Sequence, residues 1–251
     1  MTALASVGLA VSLSGRSVLA GVDAVLRARE VTAICGPNGA GKSTLLAALA
    51  GLRTPDSGTV TLNDQPLASL DRDLRARTLG YLPQAGEIAW DIDVATLAGL
   101  GRLPWRASPA ENEAAVAAAL AALDLEAFAA RRVSRLSGGE RARALLARVL
   151  AGTPAWILAD EPLASLDLAH AATLVAHFRH AARSDGIGVI LVLHDLAQAM
   201  NHADRVLVLD AGRIVADGAP EVALDEGVLK RVWGVSARWL GEPGARALAV
   251  G

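Results

Sequence analysis

Residues 36–44 read Gly-Pro-Asn-Gly-Ala-Gly-Lys-Ser-Thr, an order of residue types suited to gripping phosphate. Gly36, Gly39 and Gly41 let the chain turn tightly with no Cβ in the way, so that N–H groups along Pro37, Asn38, Ala40 and their neighbours converge on oxygen atoms at a helix N-terminus. Lys42 would add a point charge to β- and γ-phosphates, the Ser43 hydroxyl would hold Mg²⁺, and Thr44 carries the loop into the helix. The flanks fit this reading. An apolar, strand-like run over residues 31–35 precedes the loop and a helix-like run over residues 45–49 follows it.

Further groups with chemistry stand at the ends of apolar runs. Trp156, Ile157, Leu158 and Ala159 read as a buried parallel strand, and the chain then delivers Asp160, Glu161 and Pro162. Open α/β sheets place ligands at such strand ends. His194 and Asp195 follow a second run over residues 188–193, and Gln84 closes a third over residues 79–82. Asp160, at the end of a buried strand facing the loop, can hold a magnesium ion with Ser43. Ser137, Gly138 and Gly139 open a strongly periodic helix and so make a second anion-attracting helix N-terminus. In that helix Ala142, Leu145, Leu146, Val149 and Leu150 follow helical spacing, with Arg141 and Arg148 on another face.

With 251 residues the chain can bury a substantial core, and its 24 basic against 26 acidic residues give a net charge of -2. No basic field draws it to nucleic acid. The single cysteine, Cys35, excludes a disulfide framework and a cysteine-based metal cluster, and it reads as a small buried filler. No uncharged run is long enough to span a bilayer, since residues 114–130 are broken by Asp124 and Glu126. The N-terminus lacks the basic start of a secretory signal and ends in strand-like residues.

The order of elements predicts an α/β fold with a mostly parallel sheet. Short apolar stretches over residues 3–13, 17–19 and 24–28 suggest an antiparallel β layer, continued by a strand over residues 58–62. Helical patterns over residues 94–101, 111–123 and 125–130 suggest an inserted lobe. A helix over residues 168–184, a short helix, and strands over residues 205–209 and 213–216 follow. Two short helices and a small hairpin around Glu242-Pro243-Gly244 close the chain.

Six elements in this order resemble the ABC-family ATPases, the nucleotide-binding subunits of transporters: the loop at 36–44, Gln84, the Leu-Ser-Gly-Gly-Glu run at 136–140, the strand ending in Asp160-Glu161, Ser165-Leu166-Asp167, and His194. The resemblance covers nearly the whole chain. It implies one domain, a P-loop NTPase core over residues 1–84 and 153–251 with a helical lobe over about 85–152. It also implies ATP and Mg²⁺ as the bound groups. Glu161 would be the general base and His194 a switch that touches the γ-phosphate. Gln84 would sense Mg²⁺ and γ-phosphate, and Asp160 with Ser43 would hold the ion. Ser137, Gly138, Gly139 and Asp167 would close over ATP held by a second copy of the chain.

One departure concerns the base. Many members stack an aromatic residue on adenine just before a run like Gly15-Arg16-Ser17-Val18-Leu19, and the matching position here is Leu13; Leu163 stands where a threonine is frequent. Gly101-Arg102-Leu103-Pro104-Trp105 and the run from Leu166 to His170 are similar to the importer branch for iron-siderophores, haem and vitamin B12. Residues 84–106 would then dock integral membrane permease subunits, with Trp90 and Trp105 as anchors or as packing residues. That branch implies a peripheral place on the cytoplasmic face of the inner membrane and indirect work with a periplasmic or surface substrate-binding protein. Transport of another metal, export, a soluble non-transport ATPase and a phosphotransferase are the competing readings. His170, His177 and His180 read as solvated surface.

Overall fold

Uninterrupted apolar runs make strands that can be covered on both faces, and three such runs form the centre of this fold. The computed structural model of the chain describes residues 3–84, 91–164 and 166–251. Its strands are β1 (Ala3–Leu13), β2 (Arg16–Arg27), β3 (Val31–Cys35), β4 (Ser57–Leu62), β5 (Gln65–Pro66), β6 (Leu79–Leu82), β7 (Trp156–Asp160), β8 (Gly188–Val192), β9 (Arg205–Asp210), β10 (Arg213–Gly218), β11 (Ala237–Leu240) and β12 (Ala247–Val250). Its helices are α1 (Lys42–Leu49), α2 (Arg72–Thr78), α3 (Val94–Gly99), α4 (Pro109–Ala121), α5 (Gly138–Ala151), α6 (Leu168–Arg183), α7 (Leu196–His202), α8 (Pro220–Ala223) and α9 (Glu226–Trp233).

The main sheet has the order β10-β9-β3-β8-β7-β6, with β9, β3, β8, β7 and β6 parallel and β10 antiparallel at one edge. Every residue of β3, β7 and β8 is buried. Alternation along the strands divides them between two cores. Ile34, Leu158, Ile190, Val192 and Leu207 face α1 and the antiparallel layer β2-β1-β4-β5. Ala33, Cys35, Ile157, Val189 and Val206 face the side that carries α3 to α7. At about 1.5–3 kcal/mol for each fully buried large aliphatic side chain, these two layers are the main stabilising term.

The antiparallel layer holds one long strand, β2, where the sequence suggested two short ones. Gly21 keeps a positive φ of 72° inside it, so the irregularity is absorbed without ending the strand. The helical pattern over residues 125–130 becomes only a single 3-10 turn over residues 126–128. Asp124, at a φ of 53°, breaks the helical path just before it. Helix α2 was not expected, although Asp71 caps it by accepting from the N–H groups of Asp73 and Leu74 at 2.9 and 3.1 Å. Helix α5 keeps the amphipathic pattern, with Leu145, Leu146 and Val149 buried and Ala142 and Leu150 half-buried, and adds Ala144 and Ala147 to the buried face. The small alanines widen the buried face where α3 and α4 pack on it.

The chain after α3 is tied to the end of α5. Arg102 is 9% exposed; its Nε donates to Asn112 Oδ1 at 2.9 Å and an Nη1 to the carbonyl of Ala151 at 3.2 Å. Trp105 Nε1 donates to the carbonyl of Gly152 at 3.0 Å, and the guanidinium of Arg102 lies 4.5 Å from its ring centre. Carbonyls that the helix leaves unpaired at its C-terminus are thereby satisfied. Trp105 is a half-buried packing residue, whereas Trp90 lies outside the described residues. Gly101 permits this approach: a Cβ there would stand 2.0 Å from the carbonyl oxygen of Arg148. Gly101→Ala is expected to destabilise the chain by about 1–3 kcal/mol, read as a lower urea midpoint; an unchanged midpoint would contradict this packing.

Candidate nucleotide site

Parallel strands β3, β6, β7 and β8 all end at the same edge of the sheet. That geometry collects four separate sequence positions. From β3 the chain turns through Gly36, where a Cβ would meet the carbonyl oxygen of Leu209 at 2.0 Å. Pro37, Asn38, Gly39 and Ala40 form the loop, with the Gly212 N–H donating to the Ala40 carbonyl at 3.1 Å. Gly41 is the N-cap of α1 in left-handed conformation, and the helix begins at Lys42, Ser43 and Thr44. Strand β7 brings Asp160 and Glu161, β8 leads to His194, and β6 leads to Gln84.

Lys42 is 6% exposed, and its Nζ donates to the carbonyl oxygens of Gly36 and Pro37, each at 2.9 Å. Burial pulls its pKa down, while Glu161, Cys35 and Asp160 pull it back up. Ser43 Oγ donates to Asp160 Oδ1 at 3.1 Å. Asp160 is 4% exposed, and burial raises its pKa against the lowering effect of the Ser43 bond and Lys42. Beside it Glu161 takes a φ of 49°, a conformation uncommon for a side chain of this size and one that functional sites often retain. Its backbone N–H is held by the Val192 carbonyl at 3.2 Å. Gln84 Nε2 donates to Glu161 Oε2 at 2.5 Å, and the His194 Nε2 is hydrogen-bonded to Glu161 Oε1. Cys35, fully buried below the loop, has its thiol pushed up to about 12 and stays neutral, as a filler should.

The structure therefore brings the loop, Asp160, Glu161, His194 and Gln84 together. Ser137, Gly138, Gly139 and Asp167 form a separate cluster: no hydrogen bond or ion pair among the described residues joins them to the loop. Ser137 accepts from the Glu140 N–H at 3.2 Å and Glu140 accepts from the Ser137 N–H at 2.7 Å, a reciprocal cap on α5. Asp167 caps α6 through the His170 N–H at 2.9 Å. Ser165 lies outside the described residues. Leu13 is half-buried against the antiparallel core, and nearby Val18 and Leu19 lie against Gly41 of the loop. Sequence reasoning missed His170, which touches Asp167 and is not simply solvated; its i,i+3 spacing from Asp167 was the available signal.

Residues 19–164 match the ABC transporter family. The chain belongs to the ABC transporter family of ATPases. A Streptomyces coelicolor protein named hemin import ATP-binding protein is 44% identical over 245 residues, covering 97% of this chain and 87% of that relative. A Rhodococcus jostii protein of the same name is 44% identical over 90% of this chain and 78% of its own length. Among solved structures, a dimeric ATP-binding cassette in a post-hydrolysis state with ADP and phosphate superposes with a TM-score of 0.79 at 25% identity, covering 86% of this chain and 98% of that one. An inward-facing metal-chelate type ABC transporter shares the fold with a TM-score of 0.84 at 24% identity, over 100% and 97% of the two chains. This ABC ATPase is thus an ATP-binding chain, and no helix among its described residues is long and apolar enough to cross a membrane.

A carboxyl group whose pKa is raised in the folded chain adds stability below its unfolded pKa and loses it as pH rises through the folded value. Burial raises the pKa of Asp160 in this way, so its ionised form is the one that costs stability. Asp160→Asn keeps an acceptor for Ser43 and leaves Glu161 to balance Lys42. Without nucleotide it is expected to melt about 2–4 °C higher, in line with a gain of about 1 kcal/mol; a lower midpoint in calorimetry would contradict the sign.

Proposed function

We propose that this chain is the ATP-hydrolysing motor subunit of an importer, with haem as its cargo. The carrying observation is that Lys42, the Ser43–Asp160 pair and the Gln84–Glu161–His194 cluster occupy one sheet edge in a chain 44% identical to proteins named for hemin import. The cargo rests on those names alone. Iron-siderophore and vitamin B12 importers share the Gly-Arg-x-Pro segment, but the named relatives favour haem.

ATP would lie with its phosphates along residues 36–44 and Lys42 against the β/γ-phosphates. The donor set fits Mg²⁺: a hydroxyl and a carboxylate oxygen stand 3.1 Å apart, and this ion uses one or two protein oxygens with phosphate and water completing its shell. Ser43 and Asp160 would hold it, directly or through water, with Gln84 nearby; bound there, it would neutralise phosphate charge. Glu161 takes the role of general base, orienting water for attack, and His194 steadies both the carboxylate and the γ-phosphate. Gln84 links that state to the following segment, residues 84–106, which faces the membrane permease subunits. Ser137, Gly138, Gly139 and Asp167 would contact the nucleotide of a second copy, so that two chains enclose two ATP molecules. Such a subunit works peripherally at the cytoplasmic face of the inner membrane, and a periplasmic or surface binding protein engages it only through the permease.

Glu161→Gln retains the shape of the site and removes the base. The variant is expected to bind ATP, to lose at least about a hundredfold in hydrolysis, and to form a dimer on adding ATP and Mg²⁺, measured by size-exclusion chromatography with light scattering. Unchanged turnover would overturn the assigned base.

A further inference from the structure

His170 stands where the two helix N-termini of the second cluster meet. Its Nδ1 lies 2.8 Å from Asp167 Oδ1, and its backbone N–H donates to the same oxygen at 2.9 Å. A carboxylate oxygen only accepts, so the ring carries its proton on Nδ1. The same Nδ1–Cγ edge of the ring lies near the start of α5: a Cβ on Gly139 would sit 3.5 Å from His170 Nδ1 and 3.6 Å from Cγ, with Leu166 Cδ2 at 3.7 Å. One imidazole is therefore bonded to Asp167 and lies within van der Waals reach of any side chain placed at the second residue of the helix that opens at Gly138.

The bond is poorly placed to add stability. Asp167 and His170 side chains are 66% and 38% exposed, and pairs this open contribute little to folding. What the bond does fix is direction. Asp167 has a free choice of rotamers at the protein surface unless a second donor beyond the helix cap holds it, and the ring supplies that donor. The bonds from His170 also hold the Asp167 carboxyl below the usual carboxylate range, so it remains an anion. Gly139 has no side chain of its own, and the His170 ring is the nearest group to the space that a Cβ there would take.

We propose that His170 is a positioning residue that sets Asp167 and the Ser137–Gly139 turn in fixed relation for closure on a second copy's nucleotide. This rests on the two-chain reading above. It adds to that reading a residue that acts on closure without touching the chain's own ATP, because His170 belongs to the second cluster and has no bond to the loop among the described residues.

The test uses the full chain with Glu161→Gln as parent, alone and combined with His170→Ala or His170→Asn. The ATP concentration giving half-maximal dimer is measured by light scattering, and ATP binding to the monomer by a fluorescent analogue under dilution. His170→Ala is expected to raise the dimerisation midpoint about tenfold, the scale of one lost charge-assisted hydrogen bond, with monomer affinity unchanged. Asparagine places an amide N–H near the position of Nδ1 and is expected to restore the midpoint to within about threefold. If His170→Ala dimerises at the parent's ATP concentration, the positioning role is overturned, whatever its melting temperature. If the parent itself stays monomeric with ATP bound, the two-chain reading falls and His170's role falls with it.

Discussion

A buried ammonium group must be surrounded by oxygen atoms or lose its proton. Lys42, 6% exposed, meets this constraint through the Gly36 and Pro37 carbonyls and the nearby charges of Glu161 and Asp160. Each of these partners depends on a different part of the fold. The carbonyls require the loop to curl back over α1, which in turn requires Gly36 to pass under Leu209 where a Cβ has no room. The carboxylates require β7 to run parallel to β3 with β8 between them. A site that concentrates charge at one sheet edge is therefore also the reason that the sheet cannot be rearranged locally.

The carboxylates show the opposing side of this arrangement. Asp160 is held in a place where burial favours its neutral form, and Ser43 gives it a single hydrogen bond in return. Glu161 accepts from Gln84 and is bonded to His194 while its backbone keeps a left-handed conformation. Such a cluster costs stability compared with an apolar rim, as unpaired or strained polar groups do. Its members come from β6, β7 and β8, so their side chains are held by strand ends that have little freedom to move.

Much of this edge was legible in the sequence because its residues follow strong local rules. The glycines of the phosphate loop stand where the chain takes positive φ and Lys42 follows at a fixed spacing, and uninterrupted runs such as Trp156 to Ala159 announce buried strands. The pattern over residues 111–123 located α4 but not its start, where Ser108 and Glu111 bond reciprocally ahead of Pro109, a local capping signal that the apolar pattern passes over. Other features depended on neighbours distant in sequence. The burial of α5 around Ala144 to Ala147 follows from helices that pack on it, which periodicity within one helix cannot report. Trp105 could be exposed or packed until the carbonyl of Gly152, 47 residues away, was brought to its Nε1. His170 looked like a surface histidine for the same reason: its bond to Asp167 was implied by spacing, but its nearness to Gly139, 31 residues away, arises only in the fold.

Helix α5 joins these two kinds of feature. At its N-terminus the capping pair Ser137 and Glu140 satisfies both of its own N–H groups, leaving the glycines without side chains and the turn open toward solvent. At the opposite end Arg102 and Trp105 occupy the carbonyls of Ala151 and Gly152, which would otherwise be unpaired. The helix is packed along its middle and tied at its end. A rod held in this way transmits displacement along its axis with little bending, because its interior cannot yield without opening voids. The segment that carries Arg102 and Trp105 follows Gln84 by about twenty residues, and Gln84 is bonded to Glu161. No direct bond among the described residues connects the strand-end cluster with the N-terminus of α5, so the two anion-attracting ends of the chain stand as separate surfaces.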